Sequence, residues 1–347
     1  MNNINSIIVE IQTLLNNRQF IVAEDKLDFL ISQNKKNSFL YNMRGVLNLQ
    51  QARNDEALKD FKKSIQLKPD YIEAYSNIGV TYRNTGNVSL AEQYFRRAYK
   101  LDKKNINVIL NLANLLFSQD EYIEANIFYK EAVFHKPNSP LVNHLYGDSL
   151  MELNKAEEAL IFYKKSAEID PNPEIYNVIG MSYIYLGQDE KAKGFLKKSI
   201  ALDALYIPAY YHLSMLNPFC FDESQINFLV SVKDKLPEDH SILLNFTLSL
   251  IYQKMSDYKT QMNYLDRGNA KKAKATPYDH KRKVDFFDKI KKLYDSCQES
   301  LNVVESSKKK LIFIVGMPRS GTTLVEQIIS NIDDVNGIKD GNGQYII

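Results

Sequence analysis

The chain has no tryptophan, two cysteines, thirteen glycines and ten prolines in 347 residues, and its net charge is only +2. Two cysteines, Cys220 and Cys297, are too few for a disulfide scaffold and lack metal-ligand spacing. No metal is therefore expected, and a cytoplasmic location is the default. The near-neutral balance gives no reason to expect a nucleic-acid partner. No apolar run approaches the ~20 residues of a membrane helix, so no membrane partner is expected. The N-terminal MNNINSIIVEIQTLL has no positive leader and is broken by Glu10 and Gln12, unlike a signal peptide. Hydrophobic content of 44% with 25% charge is that of a soluble globular protein with room for two or three domains.

What is present is periodic. Gly45, Gly79, Gly147 and Gly180 hold one small-residue position, and Ala113 fills the slot between the second and third. Ala23, Ala57, Ala91, Ala125, Ala159 and Ala192 run in parallel, 34 residues apart until a final step of 33. Four residues after each alanine stands Leu27, Phe61, Phe95, Tyr129, Tyr163 or Leu196, and Pro69, Pro137 and Pro171 close three of the repeats. Each repeat reads as two short amphipathic helices whose small residues mark a close crossing. One such pair cannot bury its apolar face alone, so neighbours must stack. Proline ends the second helix because it cannot continue the hydrogen-bond ladder.

This pattern resembles the tetratricopeptide repeat, W-x2-L-G-x2-Y, then A-x3-F, then P. The third repeat carries it best, in Tyr75, Ile78, Gly79, Tyr82, Gly86, Ala91, Phe95 and Ala98. Six repeats are placed at 4–37, 38–71, 72–105, 106–139, 140–172 and 173–206, the first being the least typical. The resemblance implies an α-solenoid whose first helices line a concave face that binds a protein or peptide. Asn42, Asn77, Asn111 and Asn177 fall near one another on those helices, and asparagine amides can pair with a peptide backbone. A chain that uses asparagine freely also offers composition as the simpler explanation. Arg83, Phe117 and His144 are further groove candidates.

From 207 to 310 the period fails. Pro208, Pro218 and Pro237 interrupt it, helices are expected over 240–252, 257–267 and 278–297, and Ser306 to Lys310 reads as a polar hinge. Asn245-Phe246, Tyr264-Leu265 and Asn269 resemble a divergent linking repeat. Between Arg267 and Lys310 thirteen basic residues face six acidic ones, leaving −5 for the rest of the chain. Such a segment suits either an anionic ligand nearby or a solvated linker helix.

Leu311 to Ser330, LIFIVGMPRSGTTLVEQIIS, orders a branched apolar strand, a glycine loop and a helix start. That order makes an anion cradle, with loop amides and a helix N-terminus aimed at one spot. Both glycines of a nucleotide-binding P-loop are present, but Thr322 stands where its lysine belongs, which counts against ATP or GTP hydrolysis. Arg319 supplies the cation, and Ser320, Thr322 and Thr323 supply hydroxyl donors beside Gly321.

FIVGMPRSGTTL resembles the 5′-phosphosulfate loop of sulfotransferases, most closely the tyrosylprotein-sulfotransferase-like branch. The resemblance implies PAPS (3′-phosphoadenosine 5′-phosphosulfate) as donor, with Arg319, Ser320, Gly321, Thr322 and Thr323 binding it. It also implies a carboxylate base in a Gly-Glu step past the loop helix. Asp340, one methylene shorter and set among glycines, is the nearest carboxylate, and no histidine follows His280. The expected fold is thus mainly α. A TPR-type α-solenoid at 4–206 and a divergent helical region at 207–310 precede, at 311–347, the first strand-loop-helix of an incomplete α/β P-loop-like sulfotransferase domain. With the family's 3′-phosphate site expected downstream, the chain is expected to be an inactive fragment of a PAPS-dependent transferase acting on a protein tyrosine or glycan hydroxyl. The alternative is a protein-interaction adaptor without catalysis.

Overall fold

The computed structural model describes residues 2–216, 221–233 and 235–276, with a few positions between 284 and 292. The chain divides into two parts, Met1–Thr276 and Pro277–Ile347, and the described residues lie almost wholly in the first. The helix expected over 278–297, the hinge and the strand-loop-helix from Leu311 onward fall outside them, apart from those few positions.

Among the described residues there are helices and no strands. Six pairs succeed one another: α1 (Asn2–Asn16) and α2 (Phe20–Gln33), α3 (Ser38–Gln50) and α4 (Asn54–Leu67), α5 (Ile72–Asn84) and α6 (Val88–Leu101). Then come α7 (Ile106–Ser118) and α8 (Tyr122–His135), α9 (Pro140–Glu152) and α10 (Ala156–Ile169), α11 (Pro173–Tyr185) and α12 (Asp189–Leu202). Every second helix packs on the first helix of the next pair, so each pair covers the apolar face its predecessor leaves open.

Local chemistry starts and turns these helices. Asn37, Asn105, Ser139 and Asn172 accept from backbone N–H groups at the start of α3, α7, α9 and α11. Pro140 and Pro173 occupy the first turn of α9 and α11, where no N–H is missed. Within each pair the turn requires one left-handed residue at a repeating position. Gly86 (φ 77°) and Gly187 (φ 67°) fill it easily, whereas Ala52 (φ 57°), Asp120 (φ 63°) and Asn154 (φ 59°) carry a Cβ there.

The small-residue position is a hole for a ring. A Cβ on Gly45 would come within 2.5 Å of the Phe61 ring, and one on Gly79 within 2.6 Å of Phe95. Gly147 faces Tyr163 in the same way, and Gly180 faces Leu196. Ala57, Phe61, Ala91 and Phe95 are completely buried. From Ala91 to Tyr264 one continuous apolar core runs through the stack, while α1 to α3 enclose a separate cluster and Ala57, Phe61 and Ile78 form a third.

The stack does not stop where the period breaks. Helix α13 (Ile207–Met215) starts in step with α11 but ends early, and α14 (Glu223–Val232) follows behind an Asp222–Gln225 capping box. Helices α15 (Glu238–Lys254) and α16 (Tyr258–Ala275) form a further pair turned on Ser256 (φ 60°), and α13 packs on α11, α12 and α15. In this pair ring and hole have changed places. Phe246 stands on the first helix and Gly268 on the second, where a Cβ would lie 2.9 Å from the ring. Among the described residues no helix is long and apolar enough to cross a membrane, and no three His, Cys, Asp or Glu are grouped to hold a metal.

Candidate peptide-binding groove

The expected asparagines lie on first helices, but each is engaged by a side chain of the neighbouring first helix. The Asn77 amide donates to Asn42 Oδ1 at 2.9 Å, Asn111 donates to Ser76 Oγ at 3.1 Å, and His212 Nδ1 lies 2.8 Å from Asn177 Oδ1. Each contact joins two residues 35 apart, the fifth of one repeat and the sixth of the next. Asn42 and Asn177 are buried, whereas Asn77 and Asn111 are half-buried. Asn42 and Asn177 also bond the hydroxyls of Tyr71 and Tyr206, which stand just before the following first helices. Burial, with Glu73 near Tyr71 and Glu174 near Tyr206, pushes both phenols up to about 12. Burial pushes the His212 imidazole down to about 4, so it is neutral at pH 7. These four asparagines therefore tie successive first helices together, which leaves little amide capacity for a ligand.

A second polar cluster sits in the fourth to sixth repeats. The Tyr163 hydroxyl donates to Asp148 Oδ1 at 2.7 Å, and the Tyr129 hydroxyl donates to Asn114 Oδ1 at 2.6 Å. His144 Nε2 lies 3.5 Å from Asp148, and the His144 ring meets Tyr163 edge-on. Burial raises the Asp148 carboxyl above its ordinary value, a shift opposed by His144 and Tyr163 and reinforced by Glu174. Phe117 is half-buried, edge-on to Tyr122 and Tyr129, while Arg83 is exposed. Asp148 and Asn114 were not singled out in the sequence, and Tyr129 and Tyr163 were named only as repeat ring positions, although a signal existed. Where the ring position is tyrosine, the residue fifteen earlier is an acceptor, and where it is Phe61 or Phe95, that residue is Val46 or Val80.

Helix pairs at this period, closed by a glycine hole and a buried ring, decide the repeat type. The chain carries tetratricopeptide repeats. The family model "TPR repeat" matches residues 47–86, and "Tetratricopeptide repeat" matches 72–105, 142–173 and 173–204. A third model, "Sulfotransferase family", matches residues 312–341. That stretch holds Arg319, Ser320, Gly321, Thr322, Thr323 and Asp340, all outside the described residues.

The human protein O-mannosyl-transferase TMTC3 is 27% identical over 200 residues, 53% of this chain and 21% of that protein. Anaphase-promoting complex subunit 3 of Schizosaccharomyces pombe is 21% identical over 270 residues, 78% of this chain and 39% of that protein. The matches thus span about a fifth to two fifths of these relatives. Among solved structures, the TPR protein YrrB, described as having an unusual peptide-binding site, is 22% identical with a TM-score of 0.48, covering 55% of this chain and 98% of that one.

Proposed function

We propose that the tetratricopeptide array binds an extended polypeptide along its first helices and presents it to a sulfuryl-transfer module that begins at Leu311. The observation that carries the first half is the set of His144, Asp148 and Asn114 on first helices. The Asp148 and Asn114 oxygens are held by Tyr163 and Tyr129 of the second helices and not by a neighbouring first helix. Peptide N–H groups suit the Asp148 and Asn114 oxygens, and a hydroxyl or backbone carbonyl suits the His144 imidazole.

The second half is supported by the GMPRSGTT loop and by the sulfotransferase-family match over 312–341. The similarity to protein O-mannosyl-transferases, over a fifth of their length, is in keeping with a group transferase. In this reading Arg319 and the amides around Ser320 to Thr323 hold the phosphosulfate end of PAPS. The acceptor hydroxyl oxygen attacks sulfur, the bond from sulfur to the 5′-phosphate oxygen breaks, and adenosine 3′,5′-bisphosphate leaves. A carboxylate, Asp340 being the nearest in sequence, takes the acceptor proton. A tyrosine-bearing peptide is the acceptor class that joins both halves.

Two measurements test the two halves separately. Calorimetric titration with adenosine 3′,5′-bisphosphate should give a signal that Arg319→Ala abolishes. A titration curve identical in both proteins removes the donor site and leaves an adaptor. A peptide array probed with wild-type protein and with Asp148→Asn should show fewer positive peptides for the variant. An unchanged pattern places the groove elsewhere.

A further inference from the structure

The face opposite the first helices carries a regular row of charge. Immediately after the buried ring come Lys62-Lys63 in the second repeat and Arg96-Arg97 in the third. The fifth and sixth repeats have Lys164-Lys165 and Lys197-Lys198 at the same place, whereas the fourth has Lys130-Glu131 and the first has Asp28-Phe29. The ten from the second to the sixth repeat lie on second helices, and all but Arg96, Glu131 and Lys165 are exposed. Among the described residues only Arg96 of these cations is within ion-pair distance of a carboxylate, bonding Glu92 at 2.6 Å and Glu124 at 2.9 Å. Lys198 instead lies 4.9 Å over the Phe195 ring, and Lys164 lies 5.3 Å over Tyr183. Counting the residues one turn to either side, the strip holds twelve lysines and arginines against four carboxylates, on a chain whose net charge is +2.

The centre of the strip is apolar. Ile127, Phe134 and Ile161 are 59%, 80% and 63% exposed, flanking Lys130 and Lys164 on α8 and α10. With Ala125, Phe128, Tyr129 and Ala132 buried on its other side, α8 has apolar residues all round, the composition of a helix covered on both faces.

We propose that this second-helix face docks an acidic, extended polypeptide segment with an apolar anchor near its middle. Each doublet sits on its own second helix, so acidic residues spaced along an extended chain, which rises about 3.3 Å per residue, would meet the doublets in turn. A nucleic-acid backbone would match the cations but has no use for exposed Ile127, Phe134 and Ile161. A bilayer would match both features, but a solenoid twists from repeat to repeat, so a plane reaches few of its doublets whereas a flexible chain follows them. A second copy of the same face would set doublet against doublet.

The test uses the full 347-residue protein and a fluorescein-labelled twelve-residue Asp/Glu peptide with one central phenylalanine, read by anisotropy. Saturable binding that weakens at least tenfold between 50 and 300 mM salt, roughly as expected when several charge pairs form, is the predicted result. The quadruple variant Lys62→Glu, Lys63→Glu, Lys197→Glu, Lys198→Glu should lose it. Phe134→Ser should lose several-fold for this peptide and nothing for an all-acidic one, a contrast that a folding defect would not produce. Binding unchanged in the quadruple variant overturns the proposal. So does tighter binding of a twelve-base-pair duplex or of phosphatidylserine vesicles than of the peptide. Because Asp148 and Arg319 are untouched, the outcome is independent of the groove and the donor loop.

Discussion

The second repeat and the repeats after it reach the same backbone by different means. From Ala91 onward the seventh residue of a repeat and the twenty-third are both apolar, as in the edge-on Tyr146–Phe162 pair at 4.6 Å, and the core is continuous. In the second repeat those positions are Arg44 and Asp60. The guanidinium holds Asp60 with two bonds of 2.9 and 2.7 Å and reaches Asp28 at 2.7 Å, while Asn48 donates to Asp60 at 3.0 Å. The apolar core is interrupted in this region, into the cluster around α1 to α3 and the small one at Ala57, Phe61 and Ile78. A repeat architecture therefore tolerates a charged pair at a core position when every oxygen is satisfied. What it loses there is continuity, because a fixed ionic geometry cannot interdigitate with the next layer as a side chain such as Phe162 does.

Breaking that pair gives the largest expected effect. Arg44→Ala strands the buried Asp60 carboxylate and should destabilise by about 3–5 kcal/mol in urea unfolding, whereas Arg44→Ile with Asp60→Phe, the composition of the later repeats, should recover most of it. A double variant as unstable as the single one would mean that the polar pair is required and not merely tolerated.

The next effect belongs to the continuous part. His212 has a folded pKa of about 4 against an ordinary 6.5, so the unfolded chain binds its proton more readily. Stability from this group is complete above pH 6.5 and is lost as pH falls from 6.5 toward 4, by roughly 2–3 kcal/mol in all. Asp148, with its pKa raised, works in the opposite direction and partly masks the loss. Urea midpoints measured at pH 7 and 4.5 should converge when wild type is replaced by His212→Asn. An undiminished difference would assign the acid sensitivity to other groups.

Smaller still is Tyr163→Phe. It removes a donor from Asp148 and should cost about 1–2 kcal/mol, while Phe95→Tyr, opposite Val80, should cost a similar amount for want of an acceptor. Equal stability of all three proteins would show that ring and acceptor are not matched. Ala52→Gly is the smallest. Relief of a left-handed alanine outweighs the added entropy of the unfolded chain, for a gain of roughly 0.5 kcal/mol, read as a small rise in Tm.

The repeat period, the helix pairs and the buried alanine and ring positions were legible because each of the six pairs needs the same small residue at the same crossing. Stacking over six repeats makes that requirement visible as a rhythm. The groove was less so. A sequence places Asn42, Asn77 and Asn177 on first helices, but only the offset between neighbouring helices decides that residue five of one repeat meets residue six of the next. The amides are thereby engaged with each other and with Tyr71, Tyr206 and His212. Beyond residue 206 the helices over 240–252 and 257–267 and the likeness to a divergent repeat were legible, but the packing of that pair was not, for a related reason. Phe246 and Gly268 fill the ring and hole in reverse order, which erases the sequence signature while keeping the packing it stands for. Local chemistry thus determined where helices start, turn and cross. The partners of their polar side chains were decided by the tertiary stack, because a hydrogen bond depends on a lateral registry of a few ångströms that no single repeat encodes.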